Sequence, residues 1–115
     1  MINYTIRSVT LGKKHPRTIY SPIFEDPDMQ IVSSFIVSEY SMFKKEIDES
    51  LSLALSQKSY STEFSGNSIM IKITSESSTF ESLLDEVNLL PFTISTLDLV
   101  DLLKRWSSDI KELNS

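Results

Sequence analysis

Two runs of alternating apolar residues, Tyr60-Thr62-Phe64 and Ile69-Ile71-Ile73, flank the tetrapeptide Ser65-Gly66-Asn67-Ser68. A period of two on either side of a Gly-Asn pair predicts an antiparallel hairpin, because Gly and Asn tolerate the positive φ of tight hairpin turns. A hairpin of this kind has one apolar face and needs something to cover it. Two amphipathic stripes supply the cover. Tyr40, Phe43, Ile47, Leu51 and Ala54 step by three and four, with Lys44, Lys45, Asp48, Glu49 and Ser52 opposite, which predicts a helix over about 40–57. Leu99, Leu103, Trp106, Ile110 and Leu113 form a second stripe over about 96–113. Ser95 or Thr96 can cap its start, and Asp98 puts a carboxylate in the first turn, in the manner of a capping box.

The remaining segments read mostly as strand. Ile2, Tyr4 and Ile6 alternate, then Val9 and Leu11 take over, a phase slip near Arg7-Ser8 that suits a bulge. Gly12-Lys13-Lys14-His15-Pro16 reads as a turn, so that 17–24 can pair back. Residues 29–37 mix strand and helix periods and are expected to be strand or irregular. Glu76-Ser77-Ser78 reads as a turn, Thr79–Leu84 as a third strand, Asp85–Pro91 as a connector and Phe92-Thr93-Ile94 as a short extended stretch. Short turns disfavour parallel crossovers. The expected fold is therefore α+β, an antiparallel β-sheet with two α-helices packed on one face, in a single domain spanning 1–115. The 21 serines are scattered, so none marks a linker.

Few kinds of chemistry fit these residues. No cysteine is present, which removes disulfides, thiol nucleophiles and thiolate metal sites. His15 is the only histidine and sits in a cationic turn, where a solvated role is the ordinary one. No serine lies in a nucleophile elbow, and no phosphate-binding or dinucleotide glycine pattern occurs. The acidic pairs Glu25/Asp26, Asp48/Glu49 and Asp85/Glu86 are ordinary for solvated turns and faces, and Glu25-Asp26-Pro27-Asp28 lacks the ligand spacing of a calcium loop. The expectation is a non-enzyme with no cofactor and no metal. The N-terminus has no signal-peptide pattern, and no apolar run approaches the ~20 residues of a membrane helix, so cytoplasmic localisation without membrane contact is expected.

Charge is unevenly placed. Residues 1–24 carry Arg7, Lys13, Lys14 and Arg17 and no acid; residues 25–115 carry all 16 acids and the other seven cations, for a net charge of −5. The acidic balance disfavours direct nucleic-acid binding and leaves a basic protein partner open, although solubility alone also accounts for it.

From Phe92 through Ser95-Thr96-Leu97-Asp98-Leu99 to Leu102-Leu103-Lys104-Arg105-Trp106 the chain resembles the ending of small bacterial immunity proteins that accompany polymorphic toxins, including contact-dependent growth inhibition systems. Tyr20-Ser21-Pro22-Ile23-Phe24, the acidic loop, and Phe64-Ser65-Gly66-Asn67 with the following Ile run are similar in order and spacing. The positions are caps, core and turns. The resemblance implies a toxin inhibitor acting by one-to-one binding to a cognate, basic nuclease-type toxin domain, covering its active site or substrate surface. On that reading the contact candidates are Glu25, Asp26 and Asp28 in the loop and Glu46, Asp48 and Glu49 on the first helix, with Tyr20 and Tyr40 as candidate aromatic anchors. The competing expectation is a phage or bacterial structural or adaptor subunit that self-associates through a sheet edge.

Overall fold

The computed structural model describes residues 1–84 and 89–114. The chain runs β1 (Thr5–Leu11), β2 (Arg17–Ile23), α1 (Gln30–Phe35), α2 (Ser41–Ser56), β3 (Ser61–Ser65), β4 (Ile69–Thr74), β5 (Ser77–Ser82), β6 (Phe92–Ser95) and α3 (Thr96–Leu113). Strands β3 to β6 form an antiparallel meander in sequence order, and β1 with β2 forms a separate two-stranded antiparallel sheet. The α+β architecture is therefore the expected one, but its strands are divided between two sheets.

The helices lie on one face of the four-stranded sheet. Ile69, Ile71 and Ile73 of β4 and Ser78 and Phe80 of β5 are buried on that face, while Lys72 and Thr74 look the other way. Phe80 meets Phe35 of α1 edge to face at 5.0 Å, a preferred geometry for ring pairs. Leu99, Leu102, Leu103 and Trp106 bring α3 into the same apolar cluster. Ser95 caps α3 as expected, its Oγ accepting from the Asp98 N–H at 3.1 Å. The buried Thr96 hydroxyl donates to the Thr74 carbonyl at 2.7 Å and meets Ser78 Oγ at 2.9 Å, which ties the start of α3 to the sheet with no buried polar atom wasted.

The segment expected to be strand or irregular, 29–37, is helical. Pro27–Met29 forms a single 3-10 turn capped by Asp26, whose carboxylate accepts from the Asp28 N–H at 2.9 Å. Proline at the first turn suits a helix start. The chain continues through α1, one π-helical turn at Ile36–Tyr40, and α2. Met29, Ile31, Val32, Phe35, Ile36 and Tyr40 are all buried. A helix buried nearly all round has no polar face to set its period, which is why the apolar run gave no clear helical signal. The helix expected from about residue 40 is thus the second half of a longer one.

Smaller differences have equally local causes. β1 pairs with β2 in unbroken register from Thr5↔Ile23 to Leu11↔Arg17, so the phase slip at Arg7-Ser8 is not a bulge. β5 begins at Ser77 and ends at Ser82, two residues earlier than expected at each end, so Ser77 and Ser78 belong to the strand and Leu84 lies beyond it. Phe92-Thr93-Ile94 pairs with β5 as β6. Of the connector 85–91, the first four residues, and with them the pair Asp85/Glu86, lie outside the described residues. The 65–68 hairpin turn is present, but neither Gly66 nor Asn67 has positive φ; Gly12, at φ +90° in the β1–β2 turn, does. Gly66 is required for space, because a Cβ there would meet the Glu39 carboxylate.

Candidate functional site

The six candidate contact acids divide into two groups. Glu25 and Asp28 are exposed and make no side-chain ion pair or hydrogen bond among the described residues, and the same holds for Glu46 and Glu49 on α2. Asp26 is exposed, but its carboxylate already caps the helix start. Asp48 is committed within the fold. It accepts from the Tyr40 hydroxyl at 2.8 Å and from Lys44 Nζ at 2.5 Å. The loop acids and the helix acids do not share a cavity: the pocket that holds Glu25 and Asp26 contains no residue of α2, and the groove that holds Asp48 contains none of the loop.

Tyr40, a candidate anchor, is buried at 4% exposure. Its hydroxyl reaches one end of a groove of about 600 Å³ between α2 and α3, where Ser107 Oγ is 3.3 Å away. Burial, helped by the bond to Asp48, holds the Tyr40 hydroxyl above its ordinary value near 10, and the bond to Asp48 raises Lys44. Tyr4 is raised further, by burial and by donation to Asp109. In all three the protonated form is the one the fold favours, so their contribution is intact below pH 10 and lost as pH rises through the folded values. Urea unfolding should therefore show stability falling between about pH 10 and 12, and a Tyr4→Phe/Tyr40→Phe variant should fall less steeply over that range. Tyr20, the other candidate anchor, is half-buried against the core.

Two features escaped the sequence reading. The first is Glu39, which is fully buried in the π-helical turn. Its Oε2 accepts from the Asn67 N–H at 2.8 Å, and Oε1 accepts from the Ser68 N–H at 3.0 Å and the Ser68 hydroxyl at 3.2 Å. A carboxylate can leave water when several donors replace its hydration. It lies so close to the β3–β4 turn that a Cβ on Gly66 would sit 1.3 Å from Oε2. The sequence signal was an acid inside the apolar run Phe35-Ile36-Val37-Ser38-Glu39-Tyr40. The second is the exposure of the β1–β2 arm, which is a hairpin as expected but stands apart from the main sheet. All seven β1 residues are exposed, and Val9, Leu11 and Ile23 are 40%, 49% and 43% exposed.

No three His, Asp or Glu side chains among the described residues are arranged to hold a metal ion, and no helix among them is long and apolar enough to cross a membrane. No family model, curated protein or solved structure matches the chain.

Proposed function

We propose that this chain is an immunity protein, a cytoplasmic inhibitor that binds a basic nuclease-type toxin domain one-to-one and blocks its active site or substrate surface. The observation that carries the reading is the set of exposed, uncommitted carboxylates at Glu25, Asp28, Glu46 and Glu49. A nuclease surface is cationic because its substrate is a polyanion, and free surface carboxylates steer such a partner into register and then pair with its Lys and Arg groups. Asp48 and Asp26 belong to the fold, so they contribute field more than contact. The final helix with its Ser95 cap and Trp106 stripe carries most of the resemblance to immunity proteins, through cap and core positions that support the surface rather than through the candidate contact acids.

The test is co-expression with the open reading frame that adjoins this gene. Growth arrest by that frame alone, relieved by this chain, is the expected result. A harmless frame, or one that stays toxic in the presence of the chain, overturns the reading. Within that assay, neutralising Glu25, Asp28, Glu46 and Glu49 together (to Gln or Asn) should slow association about 10–100-fold at low salt, with an unchanged melting temperature. Asp48→Asn should do the reverse, lowering the melting temperature while leaving association nearly unchanged.

A second reading, a structural or adaptor subunit that works by self-association, is favoured by one observation, the exposed apolar side chains of the β1–β2 arm. Self-association alone does not separate the two readings; toxin neutralisation does.

A further inference from the structure

The unbroken β1–β2 register gives the phase slip at Arg7-Ser8 a meaning. Side chains alternate faces along a strand. Ile6, Ser8 and Thr10 therefore share a face with their partners Pro22, Tyr20 and Thr18, and Thr5, Arg7, Val9 and Leu11 share the other with Ile23, Ser21, Ile19 and Arg17. The first face continues the side of Ile2 and Tyr4, which pack on the core, and includes the buried Pro22. Past Ser8 the apolar residues change sides. Val9, Leu11, Ile19 and Ile23 gather on the second face, where Val9, Leu11 and Ile23 stand in solvent. Helix α1 and the π turn pack against β2, and Ser33 Oγ donates to the Pro22 carbonyl at 2.8 Å, whereas among the described residues no strand other than β2 pairs with β1, and only its base, at Thr5 and Ile6, lies beside α3. β1 is thus an open edge seven residues long, with no proline and no bulge within it, the kind of edge that soluble proteins usually protect.

We infer that this edge and the apolar face beside it are covered by the β1 strand of a second copy of the chain, in an antiparallel, two-fold pairing. Charge selects that occupant. The arm carries three of its four cations at and near the tip, Lys13, Lys14 and Arg17, with Arg7 at mid-strand beside Val9, and the base of the same arm runs into Glu25, Asp26 and Asp28. Antiparallel pairing about Ser8 sets Thr5 of one copy opposite Leu11 of the other. It brings each cationic tip to the base of the partner arm, into the pocket lined by Tyr4, Thr5, Ile23, Phe24, Glu25 and Asp26. A parallel pairing would set tip against tip and repel. The basic toxin of the proposed function is a poor occupant for the cationic end of the arm, so the arm tip and the helix acids Glu46 and Glu49 serve different partners, while Glu25 and Asp28 are claimed by both and toxin binding there displaces the partner's tip. The pairing holds under either functional reading, and its two-fold symmetry is the commonest one for homo-oligomers.

Light scattering on the purified full chain, without toxin, reads the pairing directly. A dimer is expected at about 100 μM and low salt, dissociating as salt screens the tip-to-base attraction. Val9→Lys/Leu11→Lys changes only exposed side chains and should give a monomer with an unaltered circular dichroism spectrum. Lys13→Glu/Lys14→Glu should raise the dimer dissociation constant about tenfold or more, and Glu25→Lys/Asp28→Lys in the same chain should restore it, because the charges are exchanged and the pairing kept. A monomeric wild type overturns the inference. So does a dimer that survives both arm variants. A wild type that is monomeric alone but loses toxin neutralisation with Val9→Lys/Leu11→Lys assigns the arm to the toxin and likewise overturns it. The co-expression result stands apart from all of these, since it needs only the toxin and cell growth.

Discussion

Glu39→Ala is expected to remove about 3–5 kcal/mol of folding stability, a large share of what a domain this small possesses. The substitution strips the partners from the Asn67 N–H, the Ser68 N–H and the Ser68 hydroxyl at once, and each of these part-buried donors, left unsatisfied, costs up to about 1–3 kcal/mol before water or relaxation repairs any of it. Glu39→Gln keeps the shape but turns a donor-bearing amide toward one of those donors, so it should also destabilise, by less. Gly66→Ala approaches the same contact from the other side, because its Cβ cannot share space with Oε2. The two changes must therefore couple. Gly66→Ala should cost about 2–3 kcal/mol in the wild type and much less in the Glu39→Ala chain, where the clash is gone. Urea unfolding of the two single variants and the double variant measures this. Additive losses would mean that Glu39 does not grip the turn.

Trp106→Ala carries a loss of similar size, about 3–5 kcal/mol. The indole is 6% exposed and meets the Tyr4 ring edge to face at 5.6 Å. Tyr4 in turn packs on Phe24, lies under the Arg105 guanidinium and donates to Asp109, while Arg105 donates to the Ile2 carbonyl at 2.5 Å. Trp106 is therefore the surface on which residues 2–4 rest, just before the exposed β1 arm begins. Its removal should leave a cavity in the core and also release the N-terminal segment. Hydrogen exchange of the Trp106→Ala chain should show loss of protection at the base of β1 beyond the global loss, whereas Leu99→Ala, of comparable burial but remote from Tyr4, should show only the global effect.

These two residues mark what was legible in the sequence and what was not. The Trp106 stripe, the Ser95 cap and the β3–β4 hairpin follow from local patterns, because each element has one wet face and one dry face and the period can be read. The start of the long helix was present as Asp26-Pro27, a cap followed by a first-turn proline, but as part of an acidic stretch it reads as a loop. Its body, Ile31 to Tyr40, is buried on most sides, and β-branched residues in a fully buried helix look like strand. Gly66 was placed in the right turn for a reason that does not apply: the constraint is the carboxylate of Glu39, 27 positions earlier in the chain, and only the tertiary fold brings the two together. Among the acids, hydrogen bonding separates Glu25, Asp28, Glu46 and Glu49 from Asp26 and Asp48, which are taken up by the Asp28 N–H and by Tyr40 and Lys44, a distinction that sequence spacing does not reveal.

Titration of the purified chain with the product of the adjoining open reading frame tests the proposed function most directly. The expected result is one toxin domain bound per copy, with affinity on the order of nM or tighter, an association rate that falls with added salt, and loss of toxin activity at equivalence. No binding at micromolar concentration, or binding that leaves the toxin fully active, would contradict it.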